Sequence, residues 1–73
     1  MVEQLSIQGA INKLVNGISL TRTEAEAVMG QIMRGEATPS QISAIAIALR
    51  MKGETRDEIA GLARAMRAAA SHV

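Results

Sequence analysis

Three threonines punctuate this chain at a fixed interval. Thr21, Thr38 and Thr55 stand 17 residues apart, and Glu24, Gln41 and Glu58 follow them three positions later. This pattern is a capping box. The threonine hydroxyl accepts from the backbone N–H at the third helical position, and the Glu or Gln side chain reaches back to the threonine's own N–H. Each threonine therefore marks a helix start. Gly17, Gly35 and Gly53, 18 apart, mark the stops, because glycine tolerates the left-handed backbone that closes a helix. A solenoid would repeat side-chain identities from unit to unit. These units share only caps and stops, so the period measures one helix plus one tight turn.

Read in order, the first helix runs from about Ser6 to Asn16, with Ile7, Ala10, Ile11 and Leu14 on one stripe. Gly9 lies on its polar side and weakens it by about 1 kcal/mol relative to alanine. Ile18 to Leu20 form a short connection, and Leu20 with Ala25 makes a weak hydrophobic staple across the Thr21 box. The second helix carries Ala25, Val28, Met29 and Ile32 on its stripe. Glu24 and Glu26 lie in its first turns and Arg34 in its last, as the helix dipole favours. The fourth helix presents Ile59, Leu62, Ala63, Met66 and Ala70, with Asp57 and Glu58 at its start and Arg64 and Arg67 towards its end. Ser71 to Val73 read as a frayed tail. The connections are short, so consecutive helices are expected to be neighbours in space.

The third helix differs from the others. Thr38 caps it, Pro39 suits its first position and Gly53 ends it. At about 100° per residue, Ile42, Ile45, Ala46 and Leu49 share one side, and Ala44, Ile47, Ala48 and Met51 the other. Ser43 with Arg50, and Gln41 with Lys52, fill two narrow flanks. The expectation is an all-α, compact four-helix bundle with a central third helix, whose first side enters the core. Either the bundle wraps the second side as well, or that side meets another protein. Ser40, Ala44, Ile47, Ala48 and Met51 are the candidate interface, since small residues allow close approach and methionine adapts to a partner.

Composition narrows the function. Seventy-three residues make one small domain, and such a chain buries only about 60% of its unfolded surface. With no Trp, Tyr or Phe, the core must be Ile, Leu, Val, Met and Ala. With no cysteine, disulfides and thiolate metal sites are excluded. A net charge of +1 lacks the basic excess of a nucleic-acid binder. The longest apolar run, Ala44 to Leu49, is far short of the roughly 20 residues that span a bilayer, and no secretory pattern opens the chain. A soluble, cytoplasmic domain is expected.

Nothing here assembles a catalytic, cofactor or metal site. His72, the sole histidine, sits second from the end, and the six glycines are spread singly rather than forming a phosphate loop. Pro39 removes a donor at one helix start, and the threonine hydroxyls cap the others. Arg50 and Lys52 form a basic pair that serves either the helix dipole or an anion on another domain or ligand. As a DNA-reading helix the third helix offers Ser40, Gln41 and Ser43 and then turns apolar on nearly every side, with no basic stripe. No serine has the acidic setting of a carrier domain's attachment site.

Several segments together resemble a known family. Arg34 to Ile42 (Arg-Gly-Glu-Ala-Thr-Pro-Ser-Gln-Ile), Ala48 to Thr55 (Ala-Leu-Arg-Met-Lys-Gly-Glu-Thr), and Glu58 to Gly61 with Ala63 to Arg67 are similar to the N-terminal helical domain of the anthranilate phosphoribosyltransferases. Leu20 to Met29 fits the same domain, and the likeness covers about Leu5 to Ala68. The resemblance implies one domain over residues 1–73, serving dimerisation and cleft closure, with the catalytic α/β domain absent. The parent enzyme transfers phosphoribose from phosphoribosyl pyrophosphate to anthranilate, with magnesium, in tryptophan biosynthesis. This chain alone is expected to be inert, with no cofactor of its own. Its implied partners are the catalytic domain and a second copy joined through the third helix, with no nucleic acid and no membrane. The alternatives are a free-standing helical interaction module and the equivalent domain of a pyrimidine nucleoside phosphorylase, whose counterpart of Ala48 to Thr55 is less similar.

Overall fold

The computed structural model describes residues 5–70. It contains four helices, α1 (Ile7–Val15), α2 (Arg22–Met33), α3 (Pro39–Lys52) and α4 (Arg56–Ala70). Every start expected from the sequence is made. Ser6 Oγ accepts from the Gly9 N–H at 3.0 Å. The Thr21 and Thr38 boxes close in both directions. So does the third, in which the Glu58 N–H donates to Thr55 Oγ1 at 3.1 Å and the Thr55 N–H to Glu58 Oε1 at 2.9 Å. The three stop glycines all have positive φ, at 77°, 77° and 93°. The expected tail, Ser71 to Val73, lies outside the described residues.

The caps give a simple test. Thr38 is exposed, and its hydroxyl accepts from the Gln41 N–H at 3.1 Å. Thr38→Ala removes that bond with little change in packing. It should lower stability by about 1 kcal/mol, measured as a shift in the urea midpoint at constant slope.

The helices pack as two pairs. α2 lies along α4, α1 lies on α3, and a lighter α1–α2 contact joins the pairs. This corrects the expected centre of the bundle. α3 sits to one side, laid along α1, and α1 in turn contacts α2. It also corrects the expectation that all consecutive helices are neighbours, since the tight turn after α2 does not lay α3 along it. The core comprises Ile7, Ala10 and Leu14 from α1, Leu20 from the first connection, Ala25 and Val28 from α2, and Ile45, Ala48 and Leu49 from α3. Leu20 and Ala25, the expected staple, are both buried in it.

Two faces turn differently from expectation. A helix with one neighbour buries one stripe. On α3 that stripe is Ile45, Ala48 and Leu49, leaving Ile42 and Ala46 exposed. On α4 the buried residues are Glu58, Gly61 and Ala65, whereas Ile59, Met66 and Ala70 of the expected stripe are exposed. The reason lies at Gly61. A Cβ there would collide with the Arg22 carbonyl oxygen and lie 2.8 Å from Ala25 Cβ. α2 approaches the small-residue side of α4, and that close contact outweighs the apolar stripe.

Candidate interface on α3 and the buried ion pair beside it

The last turns of α1 and the C-terminal half of α3 form a shallow apolar groove. Its sides are Val15, Ala44, Ile47 and Met51, with Leu14 and Ala48 below. Val15 is 65% exposed, Ile47 58% and Met51 83%. Of the five candidate residues, Ser40, Ile47 and Met51 are exposed and Ala44 is half-buried. Ala48 turns inward and belongs to the core. It floors the groove but offers little contact of its own. Val15 was not among the candidates. It follows the α1 stripe next to Asn16 and Gly17, where only its apolar character at a helix end hints at a role.

Lys52, on the edge of this groove, lies in the last turn of α3 with Arg50, where the helix dipole favours it. Its side chain is only 7% exposed, and Nζ donates to Glu58 Oε1 at 2.8 Å, the Gly53 carbonyl at 2.8 Å and Ser19 Oγ at 3.2 Å. Glu58 is completely buried. Besides Lys52 and Thr55, its carboxylate accepts from the Leu20 N–H at 2.7 Å. Burial pushes the Glu58 carboxyl up. The bonds from Lys52, Thr55 and Leu20 outweigh it and hold the group below the ordinary carboxylate range. The Glu58 carboxyl is therefore ionised at neutral pH.

A second ion pair lies near the same end. Lys13 Nζ meets Glu24 at 2.8 and 3.0 Å. That hydrogen bond, followed by the Thr21 N–H, lowers the Glu24 carboxyl. No buried side-chain nitrogen or oxygen among the described residues lacks a partner, so neither pair presents a free acid or base. Among the described residues no three His, Cys, Asp or Glu side chains come together to hold a metal. A wider depression between α2 and α4 is lined by Ala27, Gly30, Met33, Ala65 and Ala68, with Thr23, Glu26 and Arg34 also on its wall. His72 lies outside the described residues.

Residues 8–70 match the helical bundle domain of the glycosyl transferase family. The chain belongs to that family. The resemblance to anthranilate phosphoribosyltransferase drawn from the motifs is borne out. The anthranilate phosphoribosyltransferase of Myxococcus xanthus is 49% identical over 67 residues, covering 92% of this chain and 20% of that protein. Those of Pelobacter propionicus and an Arthrobacter species are 57% and 51% identical, over 92% and 100% of this chain and 19% and 23% of theirs. This helical bundle domain thus spans about a fifth of the length of the curated relatives it matches. No helix among its described residues is long and apolar enough to cross a membrane.

Proposed function

We propose that the chain serves as the helical bundle domain of a cytoplasmic anthranilate phosphoribosyltransferase of tryptophan biosynthesis, where it joins two copies through α3 and takes part in closing the catalytic cleft. The names and identities of its relatives support the parent enzyme. The exposure of Val15, Ile47 and Met51 on one groove carries the joining role. Fully burying such a side chain contributes roughly 1.5–3 kcal/mol, and two-fold symmetry doubles each contact. Phosphoribosyl transfer to anthranilate, and the magnesium it uses, belong to the parent enzyme outside these residues. Among the described residues no three carboxylates or histidines come together to hold a divalent ion, and Glu58 and Glu24 are occupied by Lys52 and Lys13.

Sedimentation equilibrium tests the joining role. The chain should dimerise as concentration rises. Met51→Asp, or Ile47→Glu, should give a monomer with unchanged helical circular dichroism, because both side chains face outward. An unaltered chain that stays monomeric at every concentration would remove the interface reading for this domain.

A further inference from the structure

The α3 wall of the groove ends in a side chain whose chemistry the joining role leaves unused. Met51 is the penultimate residue of α3 and carries a thioether. It is 83% exposed, against 46% for Met33 and 47% for Met66, while Met29 is half-buried. Of the described methionines it meets a dissolved oxidant most freely. Leucine would fill nearly the same volume in an apolar contact. What methionine adds is a sulfur lone pair that hydrogen peroxide can oxidise. The sulfur attacks one peroxide oxygen, an S–O bond forms and the O–O bond breaks. The departing hydroxide takes the proton of the transferred oxygen and leaves as water. Sulfur is oxidised by two electrons and the peroxide is reduced. The product, a sulfoxide, is polar where the thioether was apolar.

The groove has nothing to offer that sulfoxide. Val15, Ala44 and Ile47 share its sides with Met51, and Leu14 and Ala48 lie below. None of these side chains donates a hydrogen bond. Lys52 stands at the edge, but its Nζ is already bonded to Glu58, Gly53 and Ser19. In the separated chain the sulfoxide oxygen stays in water. Pressed against a copy of these side chains it gives up water and gains no donor from them, which is unfavourable. Two-fold symmetry would impose that loss twice.

We infer that Met51 is a peroxide-sensitive switch on the α3 groove, an inference that rests on the joining role proposed above. Oxidation to the sulfoxide keeps the chain apart from its second copy. Reduction by a methionine sulfoxide reductase restores the thioether, with a dithiol oxidised to a disulfide and the oxygen released as water. Joining covers Met51, so its oxidation runs through the separated chain and slows as chain concentration rises. An incidentally exposed methionine has no such dependence.

Peroxide treatment at a series of chain concentrations tests this. Cleavage after Glu36 and Glu54 leaves Met51 as the one methionine of its peptide, so mass spectrometry follows it apart from Met33 and Met66. In dilute solution Met51 should oxidise first. Where about nine-tenths of the chain is dimeric it should oxidise about tenfold more slowly, with Met33 and Met66 unchanged. Sedimentation equilibrium of the Met51 sulfoxide chain should show dimerisation weakened by about a hundredfold, at unchanged helical circular dichroism, and recovered after reductase treatment with dithiothreitol. A chain carrying both Met33→Leu and Met66→Leu should respond in the same way, and loss of its response would overturn the assignment to Met51. A dimer that persists with Met51 fully oxidised overturns the switch and leaves the joining role standing. So does a dimer in which Met51 oxidises as fast as in the separated chain. An untreated chain that stays monomeric overturns the joining role and the switch with it.

Discussion

Replacing Glu58 with alanine should destabilise the domain by about 3–5 kcal/mol, the usual cost of leaving one charge of a buried pair without its partner. Lys52 Nζ would keep only the Gly53 carbonyl and Ser19, and the Leu20 N–H would lose its acceptor in the interior. A chain of this length has a total stability on the order of 4–11 kcal/mol, so the variant should be largely unfolded under mild denaturant. Urea titration followed by circular dichroism measures the loss. Adding Lys52→Met to Glu58→Ala should restore part of it, because the stranded ammonium is gone. The two substitutions are thus expected to be non-additive, as contacting residues are. A Glu58→Ala loss no larger than that of Thr38→Ala would show that the pair is not the anchor its burial implies.

The same residue sets the acid limb of stability. Its folded carboxyl lies below the ordinary value of 4.5. Above 4.5 the folded and unfolded carboxyls are both ionised, and the full contribution is present. As pH falls below 4.5 the unfolded chain takes up its proton first, so stability declines and is lost through the lower, folded value. Glu24 acts in the same direction. Glu58→Gln should flatten this decline, measured as urea midpoints from neutral pH downward.

What could be read in advance follows from what each signal measures. Capping boxes and stop glycines are local, so all four helix starts and the ends of the first three were legible from Ser6, the three threonines and Gly17, Gly35 and Gly53. Helical periodicity identified the inward residues of α1 and α2 because each has one dominant apolar stripe. It failed on α3, where apolar residues run nearly all round and only the choice of neighbour decides between Ile42 and Ala48. It failed on α4 for a different reason. Hydropathy favours the large side chains Ile59 and Met66, whereas a close helix pair selects for the smallest. Glu58 was legible as a cap and illegible as a core residue. In sequence it looks the same as Glu24 or Gln41, and its distinguishing bond goes to Leu20, 38 positions away. For the interface, Ile47 and Met51 were found because they oppose the core side of α3, while Val15 became visible only when α1 was seen beside them.

Gly61 and Gly30 form a paired test of the α2/α4 contact, in which the same substitution should have opposite signs. Both glycines lie inside helices, where alanine is worth about 1 kcal/mol more than glycine by intrinsic preference. At Gly30 an added methyl would meet only Arg34 Nη1 at 3.2 Å, the far end of an exposed, flexible side chain. Gly30→Ala should therefore raise stability by a good part of that 1 kcal/mol. At Gly61 the methyl would strike the Arg22 carbonyl oxygen and stand 2.8 Å from Ala25 Cβ and 3.0 Å from the Glu26 nitrogen. Backbone cannot swing aside, and Arg22 and Glu26 are spaced as hydrogen-bond partners within α2. Relief requires α2 and α4 to move apart, loosening Ala25 and Val28 in the core. Overpacking of this kind costs about 1–3 kcal/mol or more, enough to cancel the propensity gain and leave a net loss. Gly61→Ala should therefore lower the urea midpoint while Gly30→Ala raises it. If both substitutions stabilise, the helices are not in the tight contact that displaces Ile59 and Met66 to the surface.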